Sequence, residues 1–263
     1  MGILFCINLL IVVLVQVIVA CKMKYYYYIP LYICVQVALY AVALYSCFKY
    51  DLKPASALIL SSEMARTSMK MHAYFREKLV LGRGGPTEMG KYIPPYAAKI
   101  GVTEKDLDIP KITVEDLYTE LKRYVYFYFA PTLVYRDEYV RNRKIRYQFL
   151  FKNILTFVTL VFYIWCVFKS LCIPIFKHTV DNPGSLRQFI SSVIFSTVSG
   201  IICLLTLFYG VLHCWFNIFA ELLRFGDRLF YEDWWTVTDF AGYYRKWNIV
   251  VHEFLYYYIY QDL

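Results

Sequence analysis

The chain has 263 residues, 59% of them hydrophobic, 20% aromatic and only 18% charged, with a mean hydropathy of +0.44 and a net charge of +8. A soluble domain is about 45–50% apolar, and here the excess is gathered into several uninterrupted runs, which excludes an ordinary soluble domain and implies a polytopic, all-α membrane protein. The positive charge lies in the loops between runs and no nucleic-acid motif accompanies it, so it reads as a topology signal and an attraction to anionic headgroups, with no nucleic acid as partner.

Residues 3–20 are uncharged, interrupted only by the polar Asn8 and Gln16. A crossing needs about 20 apolar residues, so this is the first expected span. A cleaved leader is the competing reading, but no positive residue precedes the run and no small-residue cleavage site appears before Lys22. Lys22 and Lys24 lead into four tyrosines at 25–28, a lysine–aromatic anchor at headgroup depth, and residues 29–48 make a second span. Lys49, Lys53 and Pro54 end it.

Residues 55–81 have a different pattern. Ala57, Leu60, Met64, Met71, Phe75 and Leu79 recur at helical spacing, while Glu63, Arg66, Lys70 and Glu77 take other faces. This predicts an amphipathic helix, lying at the interface or packed obliquely on the bundle, with His72 as a hydrogen-bonded structural residue. Clustered Gly and Pro make 82–111 a mobile loop, and its GRGG lacks the context of a phosphate-binding loop. Thr113 followed by acids marks a helix start, and that helix runs into FAPTLVYRDEYVRNRKIRY. The cluster Arg136, Arg141, Arg143, Lys144 and Arg146 precedes a third span at 154–168 and is expected on the cytoplasmic side. That span continues through 171–176 if Lys169 snorkels and Pro174 kinks or ends the helix. A loop at 177–187 comes next. Residues 189–220 are too long for one upright crossing and must tilt, kink near Gly200 or Gly210, or continue beyond the hydrocarbon. Residues 247–260 form a partial fifth span.

Eight cysteines, Cys6, Cys21, Cys34, Cys47, Cys166, Cys172, Cys203 and Cys214, sit in or beside apolar runs without a CxxC pair. Neither a zinc site nor a disulfide framework is expected, and the thiols read as small buried hydrophobes.

From His213 onward the chain leaves an uncharged run through Glu221, Arg224, Asp227 and Arg228, forms the knot FYEDWW, and re-enters an aromatic segment. Interface anchoring explains tryptophans there, but not Asp227, Arg228, Asp233, Arg245, Asn248, His252 and Glu253 between two apolar runs. Such groups need mutual hydrogen bonds or a wet tunnel. His213 and His252 are the nearby candidates for a base, an asparagine such as Asn248 can orient a base or hold an oxyanion, and no GxSxG or HExxH motif occurs. On residue types alone, an enzyme and a transporter both remain open.

HCWFNIFAELLRFGDRLFYEDWW followed by YYRKWNIVVHEFLYYYIYQD closely resembles the sterol O-acyltransferases of the membrane-bound O-acyltransferase superfamily. FYEDWW looks like their FYxDWWN signature, shared with diacylglycerol acyltransferases, and FAPTLVYRDEYVRN and PASALILSSEMARTSMKMHAYFRE resemble further segments in the right order. The resemblance covers residues 54–263 apart from the loop. It implies an oligomeric, multi-pass enzyme of the endoplasmic reticulum that esterifies a sterol such as cholesterol, with acyl-CoA as co-substrate, membrane lipid around it, and no other cofactor or metal. It further implies that Asn248 lines the active site near the catalytic histidine, that Phe230, Tyr231, Asp233, Trp234, Trp235 and Trp247 shape it, and that Tyr244, Arg245 and Tyr260 lie near the acyl-CoA pocket. Thr236 departs from the signature asparagine, which removes an amide and could loosen a local network. The resemblance sets the family's N-terminal region before this chain and the catalytic histidine beyond Leu263, so residues 1–263 are expected to be one partial domain, inactive alone. His252 matches a family histidine outside the catalytic position.

Overall fold

The computed structural model describes residues 2–80, 116–181 and 186–260. The expected loop at 82–111, the helix start at Thr113 and the turn Asn182-Pro183-Gly184 lie outside the described residues. Within them the chain is all-α: α1 (Gly2–Ala20), α2 (Tyr25–Lys49), α3 (Pro54–Val80), α4 (Leu117–Phe129), α5 (Tyr147–Val167), α6 (Ile173–Asp181), α7 (Leu186–Phe208), α8 (Phe216–Leu222), α9 (Phe240–Trp247) and α10 (Ile249–Leu255). Three π-helical turns, Phe168–Cys172, Tyr209–Trp215 and Tyr256–Tyr260, extend or join these helices, and a 3-10 turn occupies Trp234–Thr236.

Tyr25–Lys49, Tyr147–Lys177 and Leu186–Leu222 are long and apolar enough to cross a bilayer, and they carry the second, third and fourth expected spans. The first expected span differs. Its apolar part, Leu4–Ala20, is shorter, and Leu4, Asn8, Ile11, Val12, Val15 and Ile18 are buried where α1 packs on α2, α3 and α4. The run at 247–260 also differs, because it is divided at Asn248. The seven-residue α10 and its five-residue π turn reach only about 18 Å at ~1.5 Å per residue. In Leu186–Leu222 the irregularity falls at Gly210, inside a π turn, while Gly200 lies within regular α7. The loop expected at 177–187 is partly helical, since α6 runs to Asp181.

Among the described residues, α1, α2 and α8 close in the same way, and none of the three uses glycine. After α1, Lys22 (φ 47°) donates to Val19 O and Met23 to Ile18 O; after α2, Asp51 (φ 42°) donates to Phe48 O and Leu52 to Cys47 O; after α8, Arg224 (φ 55°) donates to Glu221 O and Phe225 to Ala220 O. This is the paired bonding of a Schellman motif, with a left-handed residue satisfying the last carbonyls. A non-glycine residue in that conformation costs about 1–2 kcal/mol. After α2 the closure is supported by Leu52 and Cys47, which pack together on the cluster of Leu4, Leu39, Ala43 and Leu60.

The described chain forms two compact units, Met1–Val140 with Tyr231–Leu263, and Arg141–Phe230. In the first unit, α3 is the packed amphipathic helix, but with an inward polar face. Lys70, Glu77 and Lys78 are 2%, 1% and 0% exposed. The Lys70 ammonium donates to the carbonyls of Phe127, Tyr128 and Ala130 at 2.6, 2.9 and 2.7 Å. Three acceptors require the three protons of the charged form, and together they satisfy the C-terminal carbonyls of α4 as a cation at a helix end does. Burial, with Arg66 adding repulsion, holds this ammonium well below its ordinary pKa. Lys78 bonds Glu120 (3.0 Å) and Asp137 (2.5 Å), Tyr74 donates to Glu120 (3.0 Å), and Tyr135 donates to Asp137 (2.9 Å). Asn8 explains the polar break in the first run: its amide donates to Thr67 O at 3.2 Å and its carbonyl accepts from Tyr124, tying α1 to α3 and α4. His72 is hydrogen-bonded to Tyr32 at 2.9 Å across α2 and α3.

In the second unit, α5 and α6 pack with α7 and α8. Two of the eight cysteines, Cys172 and Cys214, are buried, while Cys6, Cys21 and Cys34 are exposed. The expectation of uniformly buried thiols therefore needs correction. On a chain surrounded by lipid, an outward thiol also meets an apolar medium.

Candidate functional site

The knot after the last long helix is built on α9. Asp239, in extended backbone, caps that helix by accepting from Gly242 N–H at 2.8 Å. Gly242 must be small there, because a Cβ would stand 2.5 Å from Val237 Cγ1 and 2.7 Å from Asp239 Oδ1. Glu232 N–H donates to Lys246 O at 3.0 Å, which folds the signature back along the helix. Trp234 then meets Trp247 (ring centroids 4.6 Å), Trp235 (5.7 Å) and Tyr243 (5.9 Å), while Tyr243 also meets Trp247 at 5.4 Å and Tyr244 at 5.5 Å. Edge-to-face pairs at these separations each contribute about 0.5–1.5 kcal/mol beyond their burial. Tyr243 is central to this platform and was not among the expected site residues.

Thr236 does not leave a gap. Its hydroxyl donates to Asp233 O at 2.8 Å and closes the 3-10 turn. Asp233 and Trp235 are exposed or nearly so, and Tyr231 is half-buried. Phe230 is buried in the second unit, edge-on to Phe216 with centroids 5.2 Å apart. Tyr244 and Arg245 lie on the open surface of α9, and Tyr260 is exposed on the last π turn, with no ring contact to the platform among the described residues.

Asn248 occupies the break between α9 and α10. With φ −147° and ψ 89°, it ends one helix and caps the next, its Oδ1 accepting from Val251 N–H at 3.2 Å. Its amide nitrogen donates to no group among the described residues. The half-buried side chain thus combines a structural cap with an NH2 available for a reacting oxygen. His252 lies one turn on, its N–H bonded to Asn248 O at 3.0 Å. His213 belongs to the second unit, stacked on Tyr209 at 4.7 Å and 10° within a π turn. No group of three His, Cys, Asp or Glu able to hold a metal occurs among the described residues.

The segment after Asn248 is anchored by Tyr258, which is 2% exposed and accepts from Tyr135 N–H at 3.1 Å. Beside it on α3 lies Glu77. No group among the described residues reaches its carboxylate oxygens with full hydrogen-bonding geometry, although the Tyr258 hydroxyl leans on it. Burial pushes the Glu77 carboxyl up to about 7; Tyr258, Arg76 and Arg136 oppose the shift and Asp137 adds to it. Glu63, by contrast, is pushed up by burial but held below its ordinary value by Arg66 and the Tyr128 hydroxyl. Helical periodicity located these α3 carboxylates without indicating which would be buried.

A sequence model of the membrane-bound O-acyltransferase family matches residues 118–263. Among curated proteins, the chain is 41% identical over 219 residues to sterol O-acyltransferase 1 of Rattus norvegicus, covering 83% of this chain and 36% of that protein. It is 40% identical over 222 residues to sterol O-acyltransferase 1 of Mus musculus, covering 84% and 37%. To sterol O-acyltransferase 2 of Homo sapiens it is 36% identical over 226 residues, covering 86% and 38%. The chain therefore spans little more than a third of the length of these relatives.

Proposed function

This chain belongs to the membrane-bound O-acyltransferase family, and we propose that its gene product is a sterol O-acyltransferase of the endoplasmic-reticulum membrane, acting as a homo-oligomer. The observation that carries the proposal is Asn248: a capping residue with an uncommitted amide NH2, set at the end of the Trp234–Tyr243–Trp247 platform.

In this reading, a long-chain acyl-CoA presents its thioester and a sterol presents its hydroxyl. Loss of the hydroxyl proton allows the oxygen to attack the thioester carbonyl. A carbon–oxygen bond forms, the carbon–sulfur bond breaks, and coenzyme A leaves as the thiol after taking up a proton. Asn248 orients the base or donates to the oxyanion as charge develops, a role that a preorganised amide fills without rearrangement. The base itself is assigned to none of the described residues. Asp233, Trp234, Trp235 and Trp247, with Tyr231, shape the site, and Phe230 is the signature residue at its start. Tyr244, Arg245 and Tyr260 receive the coenzyme, the Arg245 guanidinium suiting phosphate oxygens.

The test is transfer of labelled oleate from oleoyl-CoA in membranes expressing the gene product, with cholesterol and diacylglycerol offered separately. Cholesteryl ester is the expected product. Triacylglycerol alone would move the acceptor to diacylglycerol, and absence of both esters would replace the enzyme with a non-catalytic membrane protein.

A further inference from the structure

In the second unit, the start of one membrane-crossing stretch, Tyr147–Lys177, is tied to the end of another, Leu186–Leu222. Arg141 pairs with Phe225, and Asn142 N–H donates to Arg224 O at 2.7 Å. Next to this bridge, the fully buried Glu221 carboxylate accepts from Arg146 N–H at 2.6 Å, from Arg146 Nε at 3.2 Å, and from the terminal guanidinium nitrogens of Arg146 and Arg228 at 3.0 and 2.5 Å.

This arrangement leaves a surplus of positive charge. Residues 141–147 and 221–228 contain six basic residues and two acidic ones. Glu221 engages Arg146 and Arg228, whereas Arg143, Lys144 and Arg224 make no ion pair among the described residues and have solvent-accessible side chains. Immediately beyond, α5 presents Tyr147 and Phe151, 74% and 67% exposed and one turn apart on a single face. The exposed Lys152 comes directly after. The six helical steps from Arg146 to Lys152 rise about 9 Å, close to the ~5–8 Å depth of one headgroup layer. Arg146 and Lys152 thus flank the two exposed rings along the start of α5.

We infer that this bracket is a docking site for the phosphate of an anionic phospholipid. Guanidinium forks at Arg143 and Arg224 match phosphate oxygens bidentately, Lys144 adds a point charge, and the two rings sit at headgroup and upper-chain depth. The exposed rings of Tyr147 and Phe151 favour a lipid over a soluble nucleotide, because they extend the site along one apolar face of a membrane-crossing stretch.

The test places the full chain in phosphatidylcholine nanodiscs doped with dioleoyl phosphatidylserine and counts retained lipids by native mass spectrometry. Phosphatidylserine should be enriched roughly tenfold or more over phosphatidylcholine, given the ~1 kcal/mol contributed by each cation near a surface. Enrichment should fall to roughly threefold or less when Arg143→Gln, Lys144→Gln and Arg224→Gln are combined, and persist when Arg143→Lys and Arg224→Lys keep the charge. If the triple variant does not fold, Lys144→Gln and a salt series from about 0.05 to about 0.5 M take its place, with enrichment expected to drop in both. Enrichment absent from the wild type, or unchanged by lost charge and added salt, would overturn the site. Displacement of phosphatidylserine by free coenzyme A would overturn the choice of a lipid.

Discussion

Replacing Glu77 by glutamine is expected to stabilise this chain above neutral pH and to flatten its response to pH. The side chain is 1% exposed, and burial raises its carboxyl from 4.5 to about 7. The folded state therefore keeps a proton that the unfolded state releases, and stability falls as pH rises between those two values. At 1.36 kcal/mol per unit, the loss across the window is about 3 kcal/mol, all of it present below the unfolded value and gone above the folded one. An amide is isosteric, uncharged and indifferent to pH, so Glu77→Gln should change little at about pH 4 and add up to about 3 kcal/mol at about pH 8. For a chain of this size that corresponds to roughly 6–12 °C in melting temperature. Thermal unfolding in detergent, monitored by tryptophan fluorescence at several pH values, measures the difference between the two chains and cancels the other titrating groups. A variant that melts below wild type at about pH 8, or parallel pH slopes for the two, would show that Glu77 is ionised and compensated by Arg76 and Arg136, and would refute the reasoning.

Asn248→Asp should preserve the cap on Val251 and leave thermal stability within about 0.5 kcal/mol, while cholesteryl-ester formation falls by roughly 10²-fold or more because the amide donor is gone. Asn248→Ala should lose the cap as well, at about 1 kcal/mol; full activity in the aspartate variant would reduce Asn248 to a cap. Gly242→Ala should destabilise the platform by about 1–3 kcal/mol through contact with Val237 and Asp239, seen as a lower melting temperature and as increased solvent exposure of Trp234 and Trp247 in fluorescence quenching. Lys70→Met should cost about 2–4 kcal/mol because three carbonyls at the end of α4 lose their donor, with amide exchange increasing first in residues 124–130.

The apolar runs that became α2, the α5–α6 stretch and the α7–α8 stretch were legible because a chain in lipid must satisfy its backbone within helices, and long uncharged segments have few alternatives. The inward face of α3 was not. Periodicity separates the faces of a helix, but where both lipid and protein interior are apolar it does not say which face turns inward. Lys70 and Lys78 are buried because carbonyls and carboxylates distant in sequence meet them. Lys22, Asp51 and Arg224 gave no sign of left-handed closures, since the usual glycine is missing. At the candidate site, the density of tryptophan was visible in FYEDWW, and KWNIVVHE singled out Asn248 as a candidate, which the structure places at the helix break as a cap. Tyr243 and Gly242 were not, because their roles come from the fold of the signature over α9. Asn8 looked like a polar interruption and is a tie between three helices.

The π turn at Tyr209–Trp215 sets the rotational phase of α8. Such a turn accommodates one residue more than the regular spiral, and one residue corresponds to about 100° of rotation. Asn217 and Glu221 therefore owe their inward direction to that added residue, on a helix whose earlier turns face lipid nearly all round. Deleting a single residue between 209 and 215 would leave composition and hydropathy almost unchanged while turning Glu221, together with the locally tethered Arg228, away from Arg146. For this stretch, length is a tighter constraint than residue identity.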